Sequence, residues 1–296
     1  MDGMLADIWS GVAPVAGEPV FSPRLREEDG SVYEGVWDVS AGGARFILKR
    51  AKPHEAEVYR GFFAPPRRYA PKLFGSAARA DGEYLLLEYI EGENLQRCTR
   101  RKLDAAIGSL AQMQNDFWQD ASRAEIGLSF AESFAQRKKR RDFLGSALLE
   151  KHYDEYLALY ERLPRTLCHD DLLPFNLIVS GGRAVFIDWE EGGMLPYPAS
   201  LARLVAHGRS HGAFFRMTPA QREYALARYY DACAACHAVT RGAFNEAIAG
   251  FLFAELCEWV FVGNRSGKAD CPYYAPYFRA ALRMARRLEE GAPEFI

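Results

Sequence analysis

One segment limits the fold more than any other: Cys168–Glu191, CHDDLLPFNLIVSGGRAVFIDWEE, a strand-like island inside a long helical run. Leu177–Val179 and Ala184–Ile187 carry the residues of strands, and Ser180-Gly181-Gly182-Arg183 is the turn between them. Around the island, Leu103–Trp118, Asp142–Leu163, Pro198–Ser210, Pro219–Ala238, Gly242–Gly263 and Tyr274–Glu290 place apolar residues at helical spacing. The first ninety residues read differently. Ser31–Val39 and Arg45–Arg50 are strand-like and flank a Ser40-Ala41-Gly42-Gly43 turn. His54–Phe63 is helical and stops before Pro65-Pro66, and Lys72–Gly75 and Tyr84–Tyr89 add two strands. The expectation is an α+β fold unit of two unequal lobes. Residues 1–91 form a small β-rich lobe with one helix, and residues 92–296 form a larger helical lobe. The two join near residues 90–95, with a ligand cleft between them.

Folding the island about Gly181-Gly182 brings Asn176 opposite Ile187 or Asp188. An amide oxygen and a carboxylate then stand side by side at the open end of the hairpin. Asp171 lies one short loop earlier, held near by Pro174. Two oxygen ligands beside a third carboxylate suit Mg²⁺, which fills the rest of its shell with water and substrate phosphates. Taken singly, an Asp or Asn at a strand end is a turn former. The joint pattern of His169-x-Asp171, Asn176 and Ile187-Asp188-Trp189 is what points to a site.

That pattern resembles the catalytic loop and metal-binding segment of the aminoglycoside phosphotransferase and choline kinase family, which has a protein-kinase-like fold. The resemblance implies that Asp171 is the catalytic base, that Asn176 and Asp188 bind Mg²⁺, and that His169 braces the loop. In the first lobe, Lys49 ends the apolar strand Phe46-Ile47-Leu48, where the family keeps its phosphate-contacting Lys. Its partner would be Glu55, with Glu57 as the alternative. Tyr84–Gly92 resembles the last sheet strand and hinge, so that Glu88, Tyr89 and Ile90 would offer backbone to an adenine edge. In the absence of a GxGxxG, Glu28-Asp29-Gly30-Ser31 is the expected nucleotide-positioning loop, with Ser31 near a phosphate. Residues 1–91 would bind nucleotide, and residues 92–296 would carry the catalytic loop and acceptor site. The chain departs from the family in two places. Asp170 stands where the family usually has Gly and is expected to point outward. Ser200-Leu201-Ala202 replaces Asp-Leu-Ala and loses a helix-start carboxylate.

The implied activity is transfer of the γ-phosphoryl group of ATP, or of GTP, to a hydroxyl of an aminoglycoside, amino alcohol or sugar-like acceptor. A catalytically degenerate nucleotide sensor on the same fold is the alternative. Composition agrees with a small-molecule enzyme. With 37 basic against 39 acidic residues and a net charge of -2, no global field draws the chain to nucleic acid or an anionic membrane. The apolar stretch Phe244–Val262 is broken by Asn245, Glu246, Glu255 and Glu258, so it reads as a buried helix. Asp2 and Asp7 stand where a secretory signal would carry positive charge, and six cysteines are too sparse for a disulfide framework, so reduced thiols in a cytoplasm are expected. Cys233-Ala-Ala-Cys236-His237 has haem-attachment spacing but reads as a packed helical stretch. His169-Asp170 leads into a hairpin, unlike an all-helical metal phosphohydrolase. Arg137–Arg141 reads as a solvated helix face or loop. Glu190, Glu191, Glu255 and Glu258 would either meet an amine on the acceptor or pair with arginines. Trp189, Trp259, Tyr273 and Tyr274 would either stack on a ligand or fill the core.

Overall fold

The computed structural model describes residues 2–12, 15, 17–25, 30–206, 217–268, 271 and 273–291. Strands β1 (Val20–Leu25), β2 (Val32–Ala41), β3 (Ala44–Arg50), β4 (Leu73–Arg79) and β5 (Gly82–Glu88) form an antiparallel sheet in the order β1-β2-β3-β5-β4. Side chains alternate across a strand, so β3 turns Phe46 and Leu48 to one face and Ile47 and Lys49 to the other. The outer face is covered by helix α1 (Asp2–Val12), whose Leu5, Ile8, Trp9 and Val12 pack on Phe46, Leu48, Tyr84 and Leu86. This helix adds to the single one expected in the first lobe. Helix α2 (Glu55–Phe62) packs Val58, Tyr59 and Phe62 into the main core together with Leu85 and Leu87 of the inner face.

The second lobe holds α3 (Arg100–Asp116), α4 (Phe130–Arg141), α5 (Ala147–Arg162), α6 (Pro198–Val205), α7 (Pro219–Ala232), α8 (Arg241–Ser266) and α9 (Tyr274–Glu289). The start of the expected Asp142–Leu163 helix is corrected: α4 ends at Arg141 and α5 begins at Ala147. Residues 207–210 of the expected Pro198–Ser210 helix lie outside the described residues. The expected Pro219–Ala238 helix stops at Ala232, and a short turn of Ala234–His237 follows. There His237 stacks flat on Trp118 at 4.1 Å. Helix α8 is buried along most of its length, as its broken apolar pattern predicts. Among the described residues no helix is long and apolar enough to cross a membrane. All six cysteines are free thiols.

Two antiparallel pairs lie on the helical lobe under the sheet: β6 (Arg165–His169) with β9 (Gly192–Pro196), and β7 (Leu177–Ser180) with β8 (Arg183–Phe186). The second pair is the expected hairpin, with Leu177 opposite Phe186 and the Ile187 N–H donating to the Asn176 carbonyl at 2.9 Å. The first pair, not foreseen, ties His169 to Gly192 and so closes the loop that carries Asp170 and Asp171.

Candidate active site

Lys49 projects from the inner face of β3, and its Nζ donates to Glu55 Oε1 at 2.8 Å. Glu55 is the first residue of α2 and fully buried, whereas Glu57 faces solvent. The helix therefore selects Glu55 as the partner. Glu55 Oε2 also accepts the Lys52 N–H at 3.3 Å, which folds the side chain back onto its own helix start. Lys49 Nζ also donates to Asp188 of the hairpin, joining the two lobes through one ammonium. Burial opposes the charge on Lys49, but Glu55 and Asp188 outweigh it and hold the ammonium above its ordinary pKa. Asp188 shows the same balance: burial pushes its carboxyl up, and Lys49 and Lys52 bring it below the usual range. Lys52 adds a second contact between the lobes, donating to Glu190 at 2.8 Å.

The loop from His169 to Asn176 is held from several sides. His169 is buried and its Nε2 donates to the Ile187 carbonyl at 2.7 Å, which fixes the tautomer and braces the residue before Asp188. Burial holds the imidazole below its ordinary pKa. The His169 N–H donates to Ser200 Oγ at 2.8 Å, so the hydroxyl at the start of α6 supplies an acceptor where the family pattern has a carboxylate. Asn176 Nδ2 donates to the Asp171 carbonyl at 2.8 Å and to Asp171 Oδ2 at 3.0 Å. Asp171 Oδ1 accepts from Arg203 Nη2 at 2.7 Å and Nε at 3.2 Å. The sequence reading missed Arg203. It sits among Ser200, Leu201, Ala202, Leu204 and Val205, all buried, and a lone Arg in such a stretch is the available signal.

Asp170 is a correction. It does not point outward to solvent: its side chain is 10% exposed, and both oxygens accept from Arg137 Nη2, at 2.7 and 2.6 Å. Arg137 belongs to α4, is buried itself, and donates through Nε to the Tyr156 hydroxyl at 2.9 Å. Within the Arg137–Arg141 run, Lys138 and Lys139 are exposed as expected of a solvated face, whereas Arg137 is buried. Arg140 reaches Glu258 at 3.1 Å and Arg141 pairs with Asp154 at 2.9 Å. Glu255 and Glu258 both accept from Arg203 Nη1 at 3.0 Å, the arginine-paired alternative for those two residues. Trp189 is core: fully buried, it donates to the Phe186 carbonyl at 2.8 Å and meets Phe63 at 4.7 Å between ring centroids.

Asp188 holds a left-handed backbone with φ of 65°, sparsely populated for a residue with a side chain and concentrated at functional sites. Asn176, whose Nδ2 is committed to Asp171, and Asp188 supply hard oxygen donors of the kind Mg²⁺ takes. Among the described residues no three His, Cys, Asp or Glu side chains converge to hold a metal unaided. The donor set thus fits a cation that completes its shell from water and a bound phosphate chain.

At the end of β5, the Glu88 N–H donates to the Lys72 carbonyl at 2.9 Å, and Glu88 Oε2 accepts the Lys72 N–H at 3.1 Å. The Tyr89 ring lies under the Arg45 guanidinium at 3.7 Å, and Ile90 is buried. Of the expected phosphate loop, Glu28 and Asp29 lie outside the described residues, while Gly30 has a φ of 70° and Ser31 is exposed ahead of β2. The buried Lys49–Glu55 pair thus meets Asp188, and Asn176 links the adjoining Ile187 main chain to the braced Asp171.

No curated protein matches the chain. Solved structures do match. Choline kinase from Cryptosporidium parvum Iowa II is 12% identical, covers 98% of this chain and 97% of its own, and has a TM-score of 0.63. A choline/ethanolamine kinase family protein from Mesorhizobium loti is 17% identical over 99% and 96%, also at 0.63. An aminoglycoside phosphotransferase from Streptomyces rimosus, solved with ADP and streptomycin, is 19% identical over 79% and 92% at 0.51. At these identities the likeness establishes the protein-kinase-like fold. The model of the phosphotransferase enzyme family, APH, matches residues 27–236, most of the chain, and the protein belongs to that family.

Proposed function

We propose that this protein is an ATP-dependent kinase that phosphorylates a hydroxyl of a small molecule. The observation that carries the reading is the double pairing of Lys49 with Glu55 and Asp188 across the lobes. It supports the reading because the Lys49 ammonium, proposed to orient phosphates, stands beside Asp188, the carboxylate proposed for the metal. Residues 1–91 form the nucleotide lobe, with Glu88, Tyr89 and Ile90 meeting the base and Ser31 a phosphate. Residues 92–296 supply the catalytic loop and the acceptor site. Lys49, aligned by Glu55, orients the α- and β-phosphates. Asn176 and Asp188 would hold Mg²⁺, which when bound offsets phosphate charge. Asp171 orients the acceptor hydroxyl and takes its proton. The acceptor class is an aminoglycoside, an amino alcohol or a sugar-like alcohol. The formed Lys49–Glu55 pair favours a working kinase over a degenerate sensor, and nothing favours GTP.

The test is turnover of Mg-ATP against a panel of those acceptors, read as ADP release. Asp171→Asn is expected to abolish transfer while nucleotide still binds. A D171N variant as active as the wild type, or a wild type that binds ATP and transfers to nothing, overturns the reading.

A further inference from the structure

Among the charged groups to which the proposed roles give no part, Arg203 is the one that touches Asp171 directly. Arg203 lies one turn after Ser200 on α6 and is 9% exposed. Its guanidinium touches three carboxylates. Nε and Nη2 both donate to Asp171 Oδ1, at 3.2 and 2.7 Å, and Nη1 donates to Glu255 and Glu258 of α8, each at 3.0 Å. The two oxygens of Asp171 are therefore not equivalent. Oδ1 already accepts two N–H bonds from the one guanidinium. Oδ2 accepts only the Asn176 Nδ2–H among the described residues, at 3.0 Å, and keeps a lone pair.

We infer that Arg203 is a positioning residue for Asp171: it fixes the carboxylate so that Oδ2 is the atom that receives the acceptor's proton, and Glu255 and Glu258 hold the guanidinium in place. The inference rests on the kinase reading above. In the step it serves, the acceptor O–H bond breaks and its proton goes to Oδ2. The hydroxyl electron pair forms the new bond to the γ-phosphorus. The bond from that phosphorus to the bridging oxygen breaks, and its pair leaves with the nucleoside diphosphate. A planar fork with donors on two edges can serve Asp171 and the α8 carboxylates together. A lysine ammonium, a single point of charge on a flexible stem, cannot hold both. Loss of alignment at a reacting group costs about 10²-fold in rate.

The experiment compares the full-length wild type with Arg203→Lys and Arg203→Ala. Three quantities are measured: Mg-ATP turnover with the best acceptor of the panel and with water, KM for ATP, and nucleotide affinity by titration. We expect kcat of R203K to fall about 10²-fold while KM and nucleotide affinity stay within twofold. Added guanidinium, but not methylammonium, should restore part of the R203A rate. Where R203A does not fold, R203K carries the test. Wild-type kcat in R203K, or a loss of nucleotide affinity equal to the loss of rate, overturns the inference alone. A wild type inactive toward both acceptors and water overturns the kinase reading and this inference with it.

Discussion

Arg137 of α4 and Asp170 of the loop after β6 form a buried ion pair, in which one nitrogen of the guanidinium serves both carboxylate oxygens, at 2.6 and 2.7 Å. The side chains are 5% and 10% exposed, so the pair has little water to fall back on if either member is removed. R137M should lower unfolding stability by about 3–5 kcal/mol, because it strands the Asp170 charge. The double variant R137M/D170A should recover part of that loss. Denaturant titration of the two single variants and the double one checks this, and purely additive losses would contradict it.

The buried Lys49 separates the two candidate glutamates functionally. K49M should lower kcat by about 10²–10³-fold, as loss of a charged donor in a reaction cleft does. E55Q should lower it by less, since the amide still accepts a hydrogen bond from Lys49. E57Q, on the solvent face of α2, should leave it unchanged. Steady-state kinetics with Mg-ATP provides the comparison, and an E57Q effect as large as that of E55Q would refute it.

Glu191 gives a pH dependence with a definite sign. Burial, then the charges of Asp170, Glu190 and Asp171, push its carboxyl from an ordinary 4.5 up to about 7, with Arg137 pulling the other way. The fold thus holds this proton more tightly than the unfolded chain does. The contribution is complete below about 4.5 and is lost as pH rises through about 7. E191Q mimics the protonated form. Its melting temperature should match the wild type near the lower value and exceed it at higher pH. A gap independent of pH would sink this assignment.

Two glycines should answer alanine oppositely. A Cβ on Gly92 would lie 2.3 Å from the Val179 carbonyl oxygen, so G92A should lose about 1–3 kcal/mol through backbone displacement. Gly108, inside α3, has nothing within 4 Å of its Cβ position, and G108A should gain about 0.5–1 kcal/mol. Thermal melts of both variants suffice.

The parts of the site legible from sequence are those set by local geometry. Strand alternation puts Lys49 on the inner face, and a Gly-Gly turn sets the register that brings Asn176 to Ile187. Glu55 over Glu57 needed the orientation of α2 on the sheet, which spacing alone leaves open. Arg137 and Arg203 escaped because their partners lie on other elements, and a charge on a helix says nothing about which helix it will meet. The outward expectation for Asp170 failed for the same reason. Helix α1 was readable: Leu5, Ile8, Trp9 and Val12 stand at i, i+3, i+4 and i+7. Strand β9 was not, since Gly192-Gly193-Met194-Leu195-Pro196 carries no strand-forming pattern, and its pairing comes from β6.

The β7–β8 hairpin is tied to both halves of the molecule through its main chain, and the Ala184 N–H also donates to Ser109 Oγ of α3 at 3.0 Å. Phe186 N–H reaches the Tyr69 carbonyl at 2.8 Å, while Glu93 and Val179 exchange hydrogen bonds of 3.3 and 2.8 Å. Any parting of sheet from helices must therefore snap those bonds or swivel about them. Asn176 and Asp188 stand at the root of this hairpin, whereas Lys49 belongs to the sheet. Loading and release of a ligand would then be felt first as a break between Lys49 and Asp188.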